Sequence, residues 1–243
     1  PADTTRQPRP IGVTQMSTPP TAAHAFDAAH AEAYDRNLER ILPIKDTLHL
    51  LLRWHLAGLP DHARVLVVGA GTGAEARFLA PLYPGWRFTL VDPSEAMLEV
   101  ARRHAAAEGF ADRCTFHPGL VSSVEDGRFD AASSVLVSHF LTSAADRQAY
   151  YAEIAARLAP GGLLFEAALC ADTDHPTFGA LMDLWLAVAG MPDDRRASFR
   201  AAFGKGLAAH GPAEVEGMLA GAGFTAPVQC FQAAIVRGWI ARR

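Results

Sequence analysis

The sequence predicts an α/β protein built on a mostly parallel seven-stranded sheet with helices on both faces, and three observations carry that expectation. Short apolar runs alternate with helical patterns from "RVLVVG" to "LLFEAAL", which is the rhythm of βαβ units. The first run empties into a glycine-rich turn and then a helical pattern, "GAGTGAEARFLA". After the last helix, "PVQCFQAAIVRGWIA" can form two closing strands.

The elements follow in order. Residues 1–23 are rich in proline, threonine and small residues and read as a disordered leader, leaving 24–243 as a single domain. From 24 to 58 the apolar spacing of Phe26, Ala29, Ala33, Leu48, Leu51, Leu52 and Leu56 suits two helices broken near Pro43. "RVLVVG", "AEARFLAPLY", "WRFTLVD", "SEAMLEVARRHAA", "CTFHPG" and "FDAASSVLV" then carry the alternation of short apolar runs with helical patterns. Ser143 with Asp146 begins a helix whose apolar face is Tyr151, Ile154, Ala155 and Leu158, and Pro160-Gly161-Gly162 is expected to stop it. "LLFEAAL" is a buried strand. Between about 172 and 205 the alternation fails and two or more helices are expected as an insertion over the sheet, a helical lid. "PAEVEGMLAGAGF" is the last helix.

Composition narrows the function. The chain has 243 residues, 50% of them hydrophobic, enough for one sizeable core. A formal net charge of −4 does not suit a binder of polyanions, so no direct nucleic-acid partner is expected. Cys114, Cys170 and Cys230 lie far apart and form no CxxC, so they read as reduced thiols in a cytoplasmic protein, with no metal site. No apolar run is long enough to span a bilayer, so no membrane partner is expected either. A homodimer is one arrangement open to the chain.

A strand, a glycine turn and a helix N-terminus gather backbone N–H groups and a positive dipole end at one place. Gly69, Ala70, Gly71 and Gly73 therefore suit close approach to a polar ligand group, a property shared by binders of nicotinamide, flavin and S-adenosylmethionine (SAM). Asp92 ends the next strand, where a carboxylate can accept both hydroxyls of a ribose; it could equally cap the helix that starts near Ser94. The dinucleotide pattern would place glycine at position 74, where this chain has Ala74.

"LAPGGLLF" after a long helix, the closing strand pair and the helices ahead of the glycine turn together resemble the class I SAM-dependent methyltransferases, over roughly residues 40 to 242. "PSEAMLEVARRH", "DRQAYYAEIAARLAPGG" and "AGF" followed by "FQ" are similar to the carboxy-SAM synthase branch of that superfamily. The resemblance implies a Rossmann-like class I methyltransferase fold and SAM as cofactor, with carboxy-SAM as the alternative. It places the methionine part at Gly69, Gly71 and Gly73, the ribose at Asp92 and the adenine near "HPGLVSS"; Pro93, Met97, Leu120, Val121 and Val137 complete the expected cofactor set. The chain departs from the family at Val67, where many members carry an acid, at Leu120, where aspartate is common, and at Pro43-Ile44-Lys45, where the carboxy-SAM synthases have Pro-Gly-Tyr.

Methyl transfer needs alignment and exclusion of water more than a catalytic triad. For a hydroxyl acceptor a base helps, and His139, just past "SSVLV", is the candidate. His175, Phe178, Trp185 and Arg200 in the insertion are the candidate substrate contacts, with Met182 and Met191 as further roofing; ordinary helix core and a solvated cationic face are their competing readings. Counted back from "AGF", Arg200 falls where the resembling branch holds an extra carboxylate. The expected function is thus methyl transfer to a small molecule, against two alternatives. One is carboxy-SAM formation from SAM and prephenate for tRNA wobble-uridine modification, the other a non-catalytic SAM-binding partner.

Overall fold

The computed structural model describes residues 39–125 and 127–243. The expected leader and the part of the N-terminal helical segment up to residue 38 lie outside the described residues. Helix α1 is Leu42–Leu56, with Pro43 in its first turn, and the expected helix ahead of Pro43 falls mostly outside the described residues. In that first turn the missing N–H has no intrahelical acceptor to lose, and the fixed φ already suits a helix. Leu48, Leu52 and Leu56 recur at helical spacing and are fully buried.

The alternation then runs β1 (Arg64–Val68), α2 (Ala74–Leu79), β2 (Arg87–Asp92), α3 (Glu95–Ala107), β3 (Cys114–Pro118), β4 (Phe129–Val135), α4 (Ala144–Arg157) and β5 (Leu158–Leu169). Helix α2 is shorter than its pattern because Pro81 has no N–H to extend the ladder. Helix α4, capped by Ser143, ends at Arg157, before the expected stop, since Leu158 already pairs with Phe129 of β4. Two helices follow as expected, α5 (Phe178–Val188) and α6 (Asp193–Ala202), then α7 (Pro212–Gly221) and the hairpin β6 (Thr225–Ala233) and β7 (Val236–Arg242).

The sheet order is β3-β2-β1-β4-β5-β7-β6. The first five strands are parallel, and β7 is antiparallel to both its neighbours. Alternate residues feed two cores. Val65 and Val67 of β1 pack with Leu52 of α1, Leu79 of α2 and Leu98 of α3, whereas Leu66 and Val68 pack with Ile154 of α4 and Leu219 of α7. Strand order reverses between β1 and β4, and in open α/β sheets ligands bind beyond the carboxyl ends at such a point.

Candidate active site

At that edge the chain leaves β1 through Gly69, Gly71 and Gly73, whose φ values of 65°, 52° and 84° fall in the left-handed region that favours glycine. Leu136, with φ 59°, turns the chain after β4 so that Val137 meets Gly69; a Cβ on Gly69 would collide with the Val137 side chain. Gly73 has another partner. Its missing Cβ would lie 3.2 Å from Ala101 Cβ and 3.3 Å from Leu90 Cδ2, so glycine here lets α3 and β2 close on the turn.

Asp92 joins the two halves of the site. Its Oδ2 accepts from Gly71 N–H and its Oδ1 from Ser94 N–H, both at 2.8 Å, while the Ser94 hydroxyl caps α3 by accepting from Met97 N–H. Burial raises the Asp92 pKa against these two hydrogen bonds, which lower it. A carboxylate has about four acceptor positions, so two remain for the hydroxyls of a ligand. Asp92 is thus a brace for the turn, and the cap is Ser94.

Beyond the strand ends lies a cavity of about 350 Å³. Of the expected cofactor set, Gly69, Pro93, Leu120, Val121 and Val137 line it. Ala70, Gly71, Gly73 and Asp92 form the turn and brace beside it, and Met97 is buried against Val100, away from its wall. Leu120 and Phe140 are 62% and 45% exposed at this cavity, apolar surface suited to covering a flat ring. The sequence did not point to the contribution of α4, whose Asp146, Ala149, Tyr150 and Glu153 line the same space. The apolar face read from the sequence, Tyr151, Ile154 and Ala155, packs in the core, and it is the other face of the helix that turns to the cavity.

His139 is buried in the short turn Ser138–Phe140. Its Nδ1 accepts from Leu169 N–H at 3.5 Å, its carbonyl accepts from Ala208 N–H, and its ring tilts against Phe140 at 4.4 Å. Burial, with Arg147 adding to it, pushes its pKa down to about 3, far from the near-neutral value that suits a general base. It does not line the cavity. Beneath the same turn, Arg147 donates to Tyr151 Oη at 3.0 Å and to Ser138 Oγ at 2.8 Å, and both Ser138 and Tyr151 donate to Glu166. Burial raises the Glu166 pKa while Arg147 and these donors oppose it. Glu166 stands in an otherwise apolar strand, and a lone charge there is the signal that could have revealed the network.

The N-terminal helix reaches the glycine turn as well. His49 of α1 lies 3.3 Å from Glu75 Oε1, both buried. Burial works to raise the Glu75 pKa, but the hydrogen bond and charge of His49 and the charge of Lys45 together hold it below the ordinary value.

The four substrate candidates part company. His175 and Phe178 line a second cavity of about 370 Å³ at the carboxyl end of β5. The His175 Nδ1 accepts from Thr177 N–H at 3.2 Å, and the Phe178 ring meets Phe203 edge-on. Trp185 is core, packed with Met182 and Leu186 under α5, and lines neither cavity. Arg200 of α6 is in an ion pair with Asp183 of α5 and lines neither cavity. The position counted as the holder of an extra carboxylate is thus engaged by Asp183. Among the described residues, no group of three or more His, Cys, Asp or Glu is placed to hold a metal, and no helix is long and apolar enough to cross a membrane.

Residues 66–164 match the family model described as a methyltransferase domain. The chain is 32% identical to the ubiquinone biosynthesis O-methyltransferase of Methylocella silvestris, over 59% of this chain and 57% of that protein. It is 35% identical to the demethylmenaquinone methyltransferase of Thermus thermophilus, over 42% of this chain and 44% of that one. The chain thus spans about half the length of these relatives. Human N-acetylserotonin methyltransferase, in complex with SAM, superimposes with a TM-score of 0.66 at 18% identity, covering 93% of this chain and 60% of that one. Residues 66–164 are accordingly similar to a methyltransferase domain, and the sheet that carries them has the fold of the class I SAM-dependent methyltransferases.

Proposed function

We propose that this chain is a SAM-dependent methyltransferase acting on a small-molecule acceptor, with the cofactor's adenosine in the first cavity and its methionine part against the glycine turn. The observation that carries the reading is the Gly71 to Asp92 hydrogen bond, which makes turn and acid two sides of one cleft where the strand order reverses. The residues fit the group. Gly69, having no Cβ, lets Val137 close against the turn at the cavity wall, Asp92 keeps acceptor positions for two ribose hydroxyls, and Pro93, Leu120, Val121 and Val137 give an apolar slot.

When bound, SAM supplies a methyl group already activated on a sulfonium. The protein's own share is alignment and exclusion of water. His139, its pKa pushed down to about 3, is a weak proton acceptor, so its role in this reading is to position the turn that carries Val137 and Phe140. Helices α5 and α6 serve as the lid. The test is a calorimetric titration of SAM into the wild type and Asp92→Asn, followed by transfer of labelled methyl groups to hydroxyl, amine and thiol acceptors. Saturable binding that weakens in the variant supports the reading, and absence of SAM binding by the wild type sinks it.

A further inference from the structure

The second cavity has the chemistry of a binding site. It opens at the same edge of the sheet, between Cys170 at the end of β5, the start of α5 and the β6–β7 hairpin. Phe178, Leu181 and Ile235 give it an apolar body. Cys170 does not make it a nucleophile's pocket. Burial pushes that thiol up to about 12, and its S–H donates to the His210 carbonyl at 3.2 Å.

What stands out is Arg237, a wall residue of this cavity at the start of β7. Its Nη1 donates to Gln229 Oε1 at 2.8 Å, which fixes the plane of the guanidinium. Its Nε is buried and has no hydrogen-bond partner. A buried donor left unmade is costly, and a charged one more so, which makes an acceptor the missing element. Among the described residues no carboxylate reaches Arg237 within ion-pair distance. Asp172 also lines the cavity, but it is exposed at the rim and its Oδ1 accepts from Asp174 N–H at 3.2 Å.

The two cavities are neighbours. Val137 and Phe140 line the first, Cys170 and Ala171 the second. His139 lies between them, its ring against Phe140 and its Nδ1 bonded to Leu169 N–H, next in the chain to Cys170. An acceptor held in the second cavity is therefore beside the cofactor cleft.

We propose that the second cavity holds the acceptor, that this acceptor bears a carboxylate on an apolar, ring-sized body, and that Arg237 receives the carboxylate. The assignment of acceptor rests on the methyltransferase reading, whereas binding at Arg237 does not. A guanidinium edge offers parallel donors that match two carboxylate oxygens, and Phe178 and Leu181 cover the ring.

The experiment compares 2-naphthoate with its neutral isostere 2-naphthamide by ligand-observed NMR, on wild type, Arg237→Lys, Arg237→Gln and Leu181→Trp, with SAM titrated by calorimetry into the same samples. We expect the wild type to prefer naphthoate by about tenfold or more, the range of a charged hydrogen bond. The preference should shrink in Arg237→Lys, which keeps the charge and loses the fork, and vanish in Arg237→Gln. Leu181→Trp, which fills the cavity from its helical side, should abolish binding of both probes, and it tests the location even where Arg237→Gln does not fold. Equal affinity of the wild type for the two probes, binding of neither, or a preference that survives in Arg237→Gln overturns the proposal. SAM binding without naphthoate preference leaves the methyltransferase reading and removes this one; naphthoate preference without SAM binding leaves the carboxylate site at Arg237 and removes both the methyltransferase reading and the assignment of the acceptor.

Discussion

The backbone N–H of Gly71 donates to Asp92 Oδ2 at 2.8 Å, so the turn that follows β1 and the acid that ends β2 behave as one unit. Replacing Asp92 by asparagine sets an NH₂ against one of two backbone donors, Gly71 or Ser94. We expect Asp92→Asn to weaken SAM binding by about 1.5–3 kcal/mol. Because burial raises the Asp92 pKa above 3.8, wild-type affinity should fall as acid protonates it, at a pH above the usual aspartate range. Calorimetry across pH should find that fall missing in the variant.

Gly69 and Gly73 both need positive φ, yet their substitutions should separate. Gly69→Ala drives a methyl into Val137 at the cavity wall and should abolish or sharply weaken SAM binding. Gly73→Ala meets Ala101 and Leu90 and should cost about 1–2 kcal/mol of stability from the left-handed conformation alone. Urea unfolding beside SAM titration of the two variants checks the contrast, and an identical pattern in both would contradict it.

His139 should reveal itself in acid. Its folded pKa of about 3 lies below the ordinary 6.5, so across that window the unfolded chain takes up a proton that the folded chain refuses. Stability contributed by the neutral ring is therefore complete above about pH 6.5 and declines as pH falls. His139→Asn, which offers Leu169 N–H another acceptor, should flatten that decline by up to about 1.4 kcal/mol per pH unit. Parallel slopes for wild type and variant in urea titrations would assign the proton uptake elsewhere.

Arg200 and Asp183 are both solvent-accessible, and pairs of that kind contribute under about 1 kcal/mol. Arg200→Ala should leave unfolding nearly unchanged and SAM affinity unaltered. Loss of ligand binding in this variant would place its guanidinium in a pocket after all.

The sheet was legible because β1 alternates its faces, Val65 and Val67 to one core and Leu66 and Val68 to the other, and because glycine marks the turn. Pro43 marked the start of α1, since in a first turn its missing N–H costs nothing. The direction of Arg200 depends on Asp183, on another helix, which no local pattern reveals. The second cavity was illegible for a related reason: Cys170 and Arg237 meet only through the antiparallel pairing of β5 with β7. A charge between Val236 and Gly238 in an apolar strand was its one mark in the sequence.

Strand β7 follows β6 in the chain yet lies inside it in the sheet, bonded to β5 on one side and β6 on the other. During synthesis the ribosome therefore releases β6 before the strand that must anchor it exists. Until Val236–Arg242 has emerged, the exposed flank of β5 is an open invitation to any passing strand. The wall that bears Arg237 therefore takes shape only once β7 has paired with β5.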